Sequence, residues 1–159
     1  MKAACASACL ALVVQPVQLL EYIANEERAH ASRAAVVIVQ YCGDSSFVEG
    51  TEEWELYPDL RHSSEDMIVQ KRTSTPFEGT SLQEQLRGRG ITRLVVTGIA
   101  SQWCVRDTCL HAKELGYGVT LVKDAHGTAT LNAADVIEKV HSEFLACGIA
   151  VKATAEIVF

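Results

Sequence analysis

The segment RLVVTGIASQWCVRDTCLHAKELGYGVTLVKDAH, residues 93–126, decides the fold because it reads as a strand, a helix and a second strand in succession. Its first part, RLVVTGI, is a short apolar run rich in β-branched residues. Apolar side chains then recur at helical spacing, at Val105, Cys109, Ala112 and Leu115. The run GVTLVKD, residues 118–124, returns to a strand. Two such strands joined through a helix predict a parallel βαβ unit.

The rest of the chain repeats this alternation. Strands are predicted at residues 10–14, 35–41, 67–71, 93–99, 118–124 and 155–159, and helices at 17–32, 81–90, 102–115 and 133–148. A chain of 159 residues is long enough for one compact core, so residues 1–159 are expected to form a single domain. The predicted fold class is α/β, with three α/β/α layers around a mostly parallel sheet.

Composition limits the classes of partner and the cellular compartment. The net charge is −6 and no basic run occurs, which argues against nucleic acid or a membrane as partner and favours a small-molecule substrate. With 48% hydrophobic residues the chain does not need its six cysteines as disulfides, so we expect reduced thiols and a cytoplasmic protein. The opening MKAACASACLALVVQ imitates a signal peptide without a clear cleavage site; a first buried strand and an atypical extension are the alternatives.

Chemically reactive residues follow three of the predicted strands. Lys71 ends one strand, Cys104 follows the next, and Asp124 and His126 end a third. Because ligands bind beyond the carboxyl ends of parallel strands, these side chains are expected to meet at one edge of the sheet. A thiol in the first turn of a helix faces unpaired N–H groups and the positive end of the helix dipole, an arrangement that favours a thiolate.

These residues carry a resemblance to a known family. The segment LVVTGIASQWCVRDTCLHAKELGYGVTLVKDAH, together with VVIVQY, GTEEWELYPDL and VQKRTSTPFEGTSLQEQLRGRGITRLVV upstream and AEIVF downstream, resembles the isochorismatase-like cysteine hydrolases over roughly residues 34–159. The resemblance implies an isochorismatase-like fold, Cys104 as nucleophile, and Lys71 as the group that stabilises its thiolate. It also implies oxyanion binding by backbone N–H groups at Ala100, Ser101 and Cys104, beside a non-proline cis peptide. Family members are commonly homo-oligomers, so a homo-oligomer is expected.

Aromatic and histidine side chains near these motifs are candidates for substrate contacts. They are Trp103, Phe77, Tyr41 and His126. Filling of the core is the alternative role for each aromatic ring. Metal-binding members of the family use an aspartate and two histidines, whereas Tyr41 and Cys42 stand here where a histidine is expected. We therefore predict no metal and no cofactor.

The N-terminal region, about residues 1–32, departs from the family pattern. The family's first strand ends in an aspartate that acts as general base, but Gln15 or Pro16 occupies that position and the first acid is Glu21. Either the true first strand is missing or replaced, or an ordinary strand has lost its acid and part of its loop. Two functions follow: a cysteine hydrolase for a small amide or related substrate, or a catalytically degenerate protein that binds a small ligand or serves in assembly. A redox switch between Cys104 and Cys109 is a third, weaker hypothesis, and because some members cleave an ether, the bond type stays open.

Overall fold

A six-stranded sheet, parallel throughout, forms the centre of the protein. The computed structural model describes residues 8–13, 19–56, 60 and 62–159. The strands are β1 (Ala8–Val13), β2 (Ala35–Tyr41), β3 (Met67–Lys71), β4 (Arg93–Ile99), β5 (Gly118–Gly127) and β6 (Ala150–Lys152). Their order across the sheet is β3-β2-β1-β4-β5-β6, and every neighbouring pair is parallel. The predicted α/β class with a parallel sheet is confirmed.

Four α-helices of the described residues connect these strands. They are α1 (Leu19–Ala31), α2 (Leu82–Gly88), α3 (Arg106–Glu114) and α4 (Ala133–Ala146). Helices α3 and α4 are each followed within two residues by a glycine at positive φ, Gly116 at 90° and Gly148 at 78°, a backbone conformation that ends a helix and that other residues rarely adopt. Within the described residues, no helix combines the length and apolar character needed to cross a lipid bilayer.

Helices cover both faces of the sheet because its central strands are apolar on both sides. Leu94 and Val96 of β4 join a core with residues of α2, α3 and α4, while Val95, between them, joins a second core with Ala29 of α1. Successive side chains of a strand point to opposite faces, so this split follows directly from the continuous apolar run in β4. The result is the three-layer arrangement expected from the sequence.

The second core offers a measure of how tightly the sheet is packed. Ile38 of β2 is 0% exposed within it. Ile38→Val removes one methylene and leaves a small void, so we expect the free energy of unfolding to fall by about 0.5–1.5 kcal/mol. Urea unfolding followed by circular dichroism measures this change. Because Ile38 lies in the middle of β2, away from the carboxyl edge of the sheet, ligand binding or activity at that edge should not change. A change there would contradict the expectation.

The C-terminal segment differs from the prediction, which placed a strand at residues 155–159. The last strand is the shorter β6, and a 3₁₀ turn at Thr154–Glu156 follows it. Asp124 Oδ1 accepts hydrogen bonds from the N–H and the hydroxyl of Thr154, both at 2.8 Å, and Arg28 donates to the carbonyl of Ile157 at 2.8 Å. Ile157 is thereby buried in the second core, and the apolar pattern of this segment reflects that packing rather than a place in the sheet.

The first strand is present and lies at the centre of the sheet. β1 pairs in parallel with β2 on one side, through Cys9–Ala35 to Val13–Val39, and with β4 on the other. The chain direction across the sheet reverses between β1 and β4, and in such folds the crevice beyond the carboxyl ends at this point is where ligands bind. Gln15 and Pro16, where the family acid is expected, lie outside the described residues.

Candidate active site

The turn that follows β4 presents Cys104 at the carboxyl edge of the sheet. A π-helical turn at Ser101–Val105 leads from β4 into α3, where an ordinary first helical turn was predicted. The carbonyl oxygen of Ala100 accepts hydrogen bonds from the N–H groups of Trp103 at 3.0 Å and Val105 at 3.2 Å, so this turn is closed on itself. A cis peptide bond joins Ile99 to Ala100, next to the Ala100–Ser101 pair to which the resemblance pointed. Cys104 is partly exposed and lies within this turn.

Lys71 reaches Cys104 from the end of β3. Its side chain is 1% exposed, its Nζ donates to the carbonyl of Ser74 at 2.6 Å, and its own carbonyl accepts from the N–H of Cys42 at 2.8 Å. Burial lowers the pKa of Lys71 below its usual value, and the nearby Cys104 sulfur and the charge of Asp107 only partly oppose this. A buried amine with a lowered proton affinity therefore faces a partly exposed thiol.

A mostly apolar cavity of about 410 Å³ opens above Cys104. Segments after β2, β4 and β5 line it, and they contribute Tyr41, Phe47, Ile99, Trp103, Thr128 and Thr130 among others. Tyr41 and Phe47 meet edge to face with ring centroids 6.5 Å apart, and Trp103 is 63% exposed at the cavity. Such a cavity suits a small, uncharged ligand whose reacting atom lies beside Cys104.

The loop after β2 shapes one wall of this cavity. The N–H of Gly43 donates to the carbonyl of Phe47 at 3.2 Å, and a Cβ on Gly43 would lie 2.3 Å from the carbonyl oxygen of Ser46. Only glycine fits there, and the close turn brings Phe47, itself at a φ of 54°, into the lining. Further along the excursion, Trp54 donates from Nε1 to Cys42 Sγ at 3.1 Å, and its carbonyl accepts from Gln40 at 2.6 Å. These bonds tie the excursion back to the end of β2.

Sequence comparison identifies the family of this site. The family model described as the isochorismatase domain matches residues 23–149, which is most of the chain. The chain belongs to the isochorismatase family.

Relatives within this isochorismatase family include hydrolases of known substrate. A streptothricin hydrolase of Streptomyces noursei is 36% identical over 109 residues, covering 67% of this chain and 40% of that protein. The ureidoacrylate amidohydrolase RutB of Variovorax paradoxus is 34% identical over 91 residues, covering 55% of this chain and 36% of RutB. The matched part of the chain thus spans less than half the length of either relative. The N-carbamoylsarcosine amidase of Thermoplasma acidophilum superposes with a TM-score of 0.82 over 96% of this chain and 99% of that one, at 21% identity, which shows a common fold.

Two threonines of the isochorismatase-family cavity were not anticipated from the sequence. Thr128 and Thr130 follow β5, line the cavity, and have hydroxyl oxygens that are buried and, within the described residues, without a hydrogen-bond partner. Nothing in the sequence marks them, because their place in the lining depends on the path of the chain after β5. Together with Tyr41 and Ser46, they are polar residues of the lining that a ligand in this cavity could engage.

Phe77 and His126, both predicted to contact substrate, lie outside the lining of this cavity. Phe77 packs against the first core, its ring 5.4 Å from that of His111 and 6.0 Å from that of Tyr117. His126 is 3% exposed and accepts or donates hydrogen bonds on both ring nitrogens to other side chains. Tyr41 and Trp103 do border the cavity, and their contact with a substrate stays a prediction.

The remaining described thiols differ from Cys104 in their surroundings. Cys42, Cys104, Cys109 and Cys147 are all free. Cys109 is fully buried in the first core, and burial raises the pKa of its thiol well above the ordinary value, with a smaller contribution from Cys147. A buried, protonated thiol is a poor nucleophile, so Cys109 has the properties of a core residue.

One group of metal-ligating side chains occurs in the described part of the chain, and it is not at the Cys104 site. Glu26 and His30 of α1 and Asp66, just before β3, bring their ligand atoms within 4.8 Å of one another at the amino edge of the sheet. His30 Nε2 already bonds both carboxylate oxygens of Asp66, at 2.9 and 3.0 Å, and the N–H of Ser63 donates to Asp66. These hydrogen bonds tie α1 to the start of β3. The prediction that the reaction site uses no metal stays a prediction.

Proposed function

We propose that this protein is a cysteine-dependent amidohydrolase in which Cys104 forms a thioester with a small, largely apolar amide. The observation that carries the proposal is the placement of the buried amine of Lys71 near Cys104, whose thiol borders the cavity. A nucleophile next to a proton-accepting group, at the carboxyl edge of a parallel sheet, is the arrangement that covalent hydrolysis requires. Relatives in the isochorismatase family include a streptothricin hydrolase and a ureidoacrylate amidohydrolase, and the second is named for amide hydrolysis.

The first chemical step is acylation. The neutral amine of Lys71 takes the thiol proton of Cys104, which leaves a thiolate beside an ammonium group. The thiolate attacks the amide carbonyl, and the developing oxyanion is held by the backbone N–H groups at Ala100, Ser101 and Cys104. When the carbon–nitrogen bond breaks, the lysine ammonium returns the proton to the departing amine, and a thioester on Cys104 remains.

The second step is hydrolysis of the thioester. Lys71, again neutral, takes a proton from a water molecule that attacks the thioester carbonyl, and Cys104 leaves as a thiolate that recovers the proton from the lysine. This role of lysine compensates for the missing family acid, since Gln15 and Pro16 cannot act as a base. Asp107, whose charge acts on Lys71, favours the ammonium form as it develops.

A ligand-binding protein without turnover is the second candidate, and the absence of an acid at Gln15 or Pro16 favours it. Loss of a general base typically slows chemistry by about 10²- to 10⁴-fold, which is enough to leave only binding. The two candidates differ in one chemical species, the thioester, which forms in a hydrolase and not in a binding protein.

Intact-protein mass spectrometry tests the proposal. Small uncharged primary amides, including cyclic carboxamides, are mixed with the protein, ammonia release is followed, and the masses of samples quenched in acid are measured. A mass increase equal to the acyl group, located on Cys104 by peptide mapping and accompanied by ammonia release, is the expected result. Saturable binding of the same compounds, with neither adduct nor ammonia, would establish the second candidate instead.

The two cavity threonines provide a prediction about substrate binding. Thr128→Val and Thr130→Val each remove a buried hydroxyl that has no protein partner among the described residues, so thermal stability is expected to stay the same or rise. If the hydroxyls bond the substrate, KM increases by about 2- to 10-fold for each, the effect of one lost hydrogen bond. Thermal melting and steady-state kinetics measure the two effects. Unchanged KM in both variants would show that the substrate contacts neither hydroxyl.

A further inference from the structure

A line of three buried polar side chains runs from the Cys104 turn to helix α4. Ser101 Oγ lies 2.9 Å from Nδ1 of His126, and Nε2 of His126 lies 2.7 Å from Nε2 of His141. The exposed fractions of the three residues are 0%, 3% and 7%. The two imidazole rings meet edge to face, with centroids 4.9 Å apart. Because these side chains are withdrawn from water, each depends on the others for its hydrogen bonds.

The contact between the two Nε2 atoms restricts the protonation of the pair. One of these nitrogens must carry a proton and the other must accept it. If the serine hydroxyl donates to His126, then His126 carries its proton on Nε2 and His141 on Nδ1; if the serine accepts, the two assignments are exchanged. In either arrangement the neutral rings are opposite tautomers, and a proton on both facing nitrogens would place N–H against N–H.

The surroundings of both rings favour the neutral forms. Burial lowers the pKa of His126 to about 4, with a further lowering from His141 and a partial opposing effect of Asp124. Burial also lowers the pKa of His141, against the raising effect of Glu138 on α4 and together with the lowering effect of Lys123 on β5. The line therefore stays uncharged at neutral pH, which suits a fixed hydrogen-bonded support.

An irregularity in the pairing of β4 and β5 places the ring of His126 beside Ser101. Between the pairs Val96–Leu121 and Gly98–His126, one residue of β4 opposes four of β5, so the end of β5 bulges away from its neighbour. Pairing resumes at His126, directly beside the last residues of β4, and brings its ring under the turn that starts at Ser101. Bulges of this kind redirect side chains near functional sites.

We propose that the Ser101–His126–His141 line positions the Ser101–Cys104 turn for catalysis, and that His126 and His141 are positioning residues of the hydrolase. The inference rests on the proposed function, because its effect is on the oxyanion-binding N–H groups and on the nucleophile. The line anchors the turn to β5 and α4, so the N–H groups keep the spacing that the transition state needs. Neither histidine lines the cavity beside Cys104.

Two variants of His141 test the role of the hydrogen bond. His141→Leu removes the partner of His126, and kcat is expected to fall by about 10- to 100-fold with KM nearly unchanged, since a misplacement of about 1 Å has effects of this size. His141→Gln can still bond His126 and is expected to recover most of kcat. The variant Ile38→Val, which weakens the fold elsewhere, controls for stability. Unchanged kcat in the leucine variant, or equal loss in both variants, would overturn the proposal.

Two further measurements separate this inference from the proposed function. Nitrogen-15 spectra of the histidine rings in the unmodified protein at pH 7 are expected to show His126 and His141 as neutral and as opposite tautomers, whether or not an amide is hydrolysed. Should no amide be hydrolysed, the rate of Cys104 alkylation by iodoacetamide replaces kcat and should follow the same order. Should His141→Leu fail to fold, Ser101→Ala interrupts the line at its other end, and the same loss is expected. Two charged rings, or two identical tautomers, would contradict the inference.

Discussion

Cys104→Ser is expected to reduce amide hydrolysis by about 10⁴-fold or more, the size of effect seen when a catalytic nucleophile is removed. The reason is chemical rather than steric. A serine hydroxyl is a far weaker acid than a thiol, so the amine of Lys71, whose pKa burial has lowered, cannot remove its proton. The acyl adduct should disappear from mass spectra together with ammonia release. The fold and the cavity should persist, because Cys104 is only partly buried and serine is only slightly smaller than cysteine.

A second cysteine serves as the matched control. Cys147 is also partly buried, and it donates from Sγ to the carbonyl of Phe144 at 3.3 Å, a bond that a serine hydroxyl can replace. Cys147→Ser should therefore retain full hydrolysis. If Cys104→Ser kept a tenth or more of the activity, the thioester mechanism would be wrong. If both serine variants lost activity equally, a general effect on folding would be the explanation.

The sheet was largely predictable because its strands are apolar on both faces. β2, β3 and β4 occupy the predicted ranges, since a run such as VVIV has no helical alternative of sufficient length. The end of the chain was not predictable in this way. Ile157 and its neighbours have the composition of a strand, but hydrogen bonds from Arg28 and to Asp124, both remote in sequence, direct them into the second core. A local pattern does not contain such contacts.

The candidate site also contains residues that a sequence rule could place and residues that depend on the three-dimensional path of the chain. Lys71 and Cys104 were placed together by one rule, that the carboxyl ends of parallel strands share an edge, and the structure brings them near one another at that edge. Thr128 and Thr130 depend on the path of a loop, which no periodicity describes. His126 was chosen for its place after a strand, yet its partner His141 lies on another element, and only the three-dimensional contact gives the pair a role.

Lys71→Met is expected to lower kcat by about 10²- to 10⁴-fold, the usual contribution of a group that transfers protons. Methionine matches the length of the buried lysine stem, but the carbonyl of Ser74 loses the hydrogen bond from Nζ, so thermal stability should fall slightly. Alkylation of Cys104 by iodoacetamide at pH 7 should slow as well, because no amine remains to take the thiol proton. This rate can be measured without a known substrate, and Cys147 labelling in the same sample is the internal reference.

Lys71→Arg distinguishes proton transfer from simple charge. Arginine keeps a positive charge near the sulfur but does not lose its proton in proteins, so it can stabilise a thiolate and cannot generate one. If Lys71 is the base, Lys71→Arg loses hydrolysis as Lys71→Met does, while its alkylation stays faster than that of the methionine variant. Melting curves establish that the larger side chain is accommodated. Full hydrolysis in the arginine variant would mean that the charge alone suffices and that another group takes the proton. Full hydrolysis in the methionine variant would remove Lys71 from the mechanism altogether. Asp107 would lose its role as well, because its charge acts on Lys71.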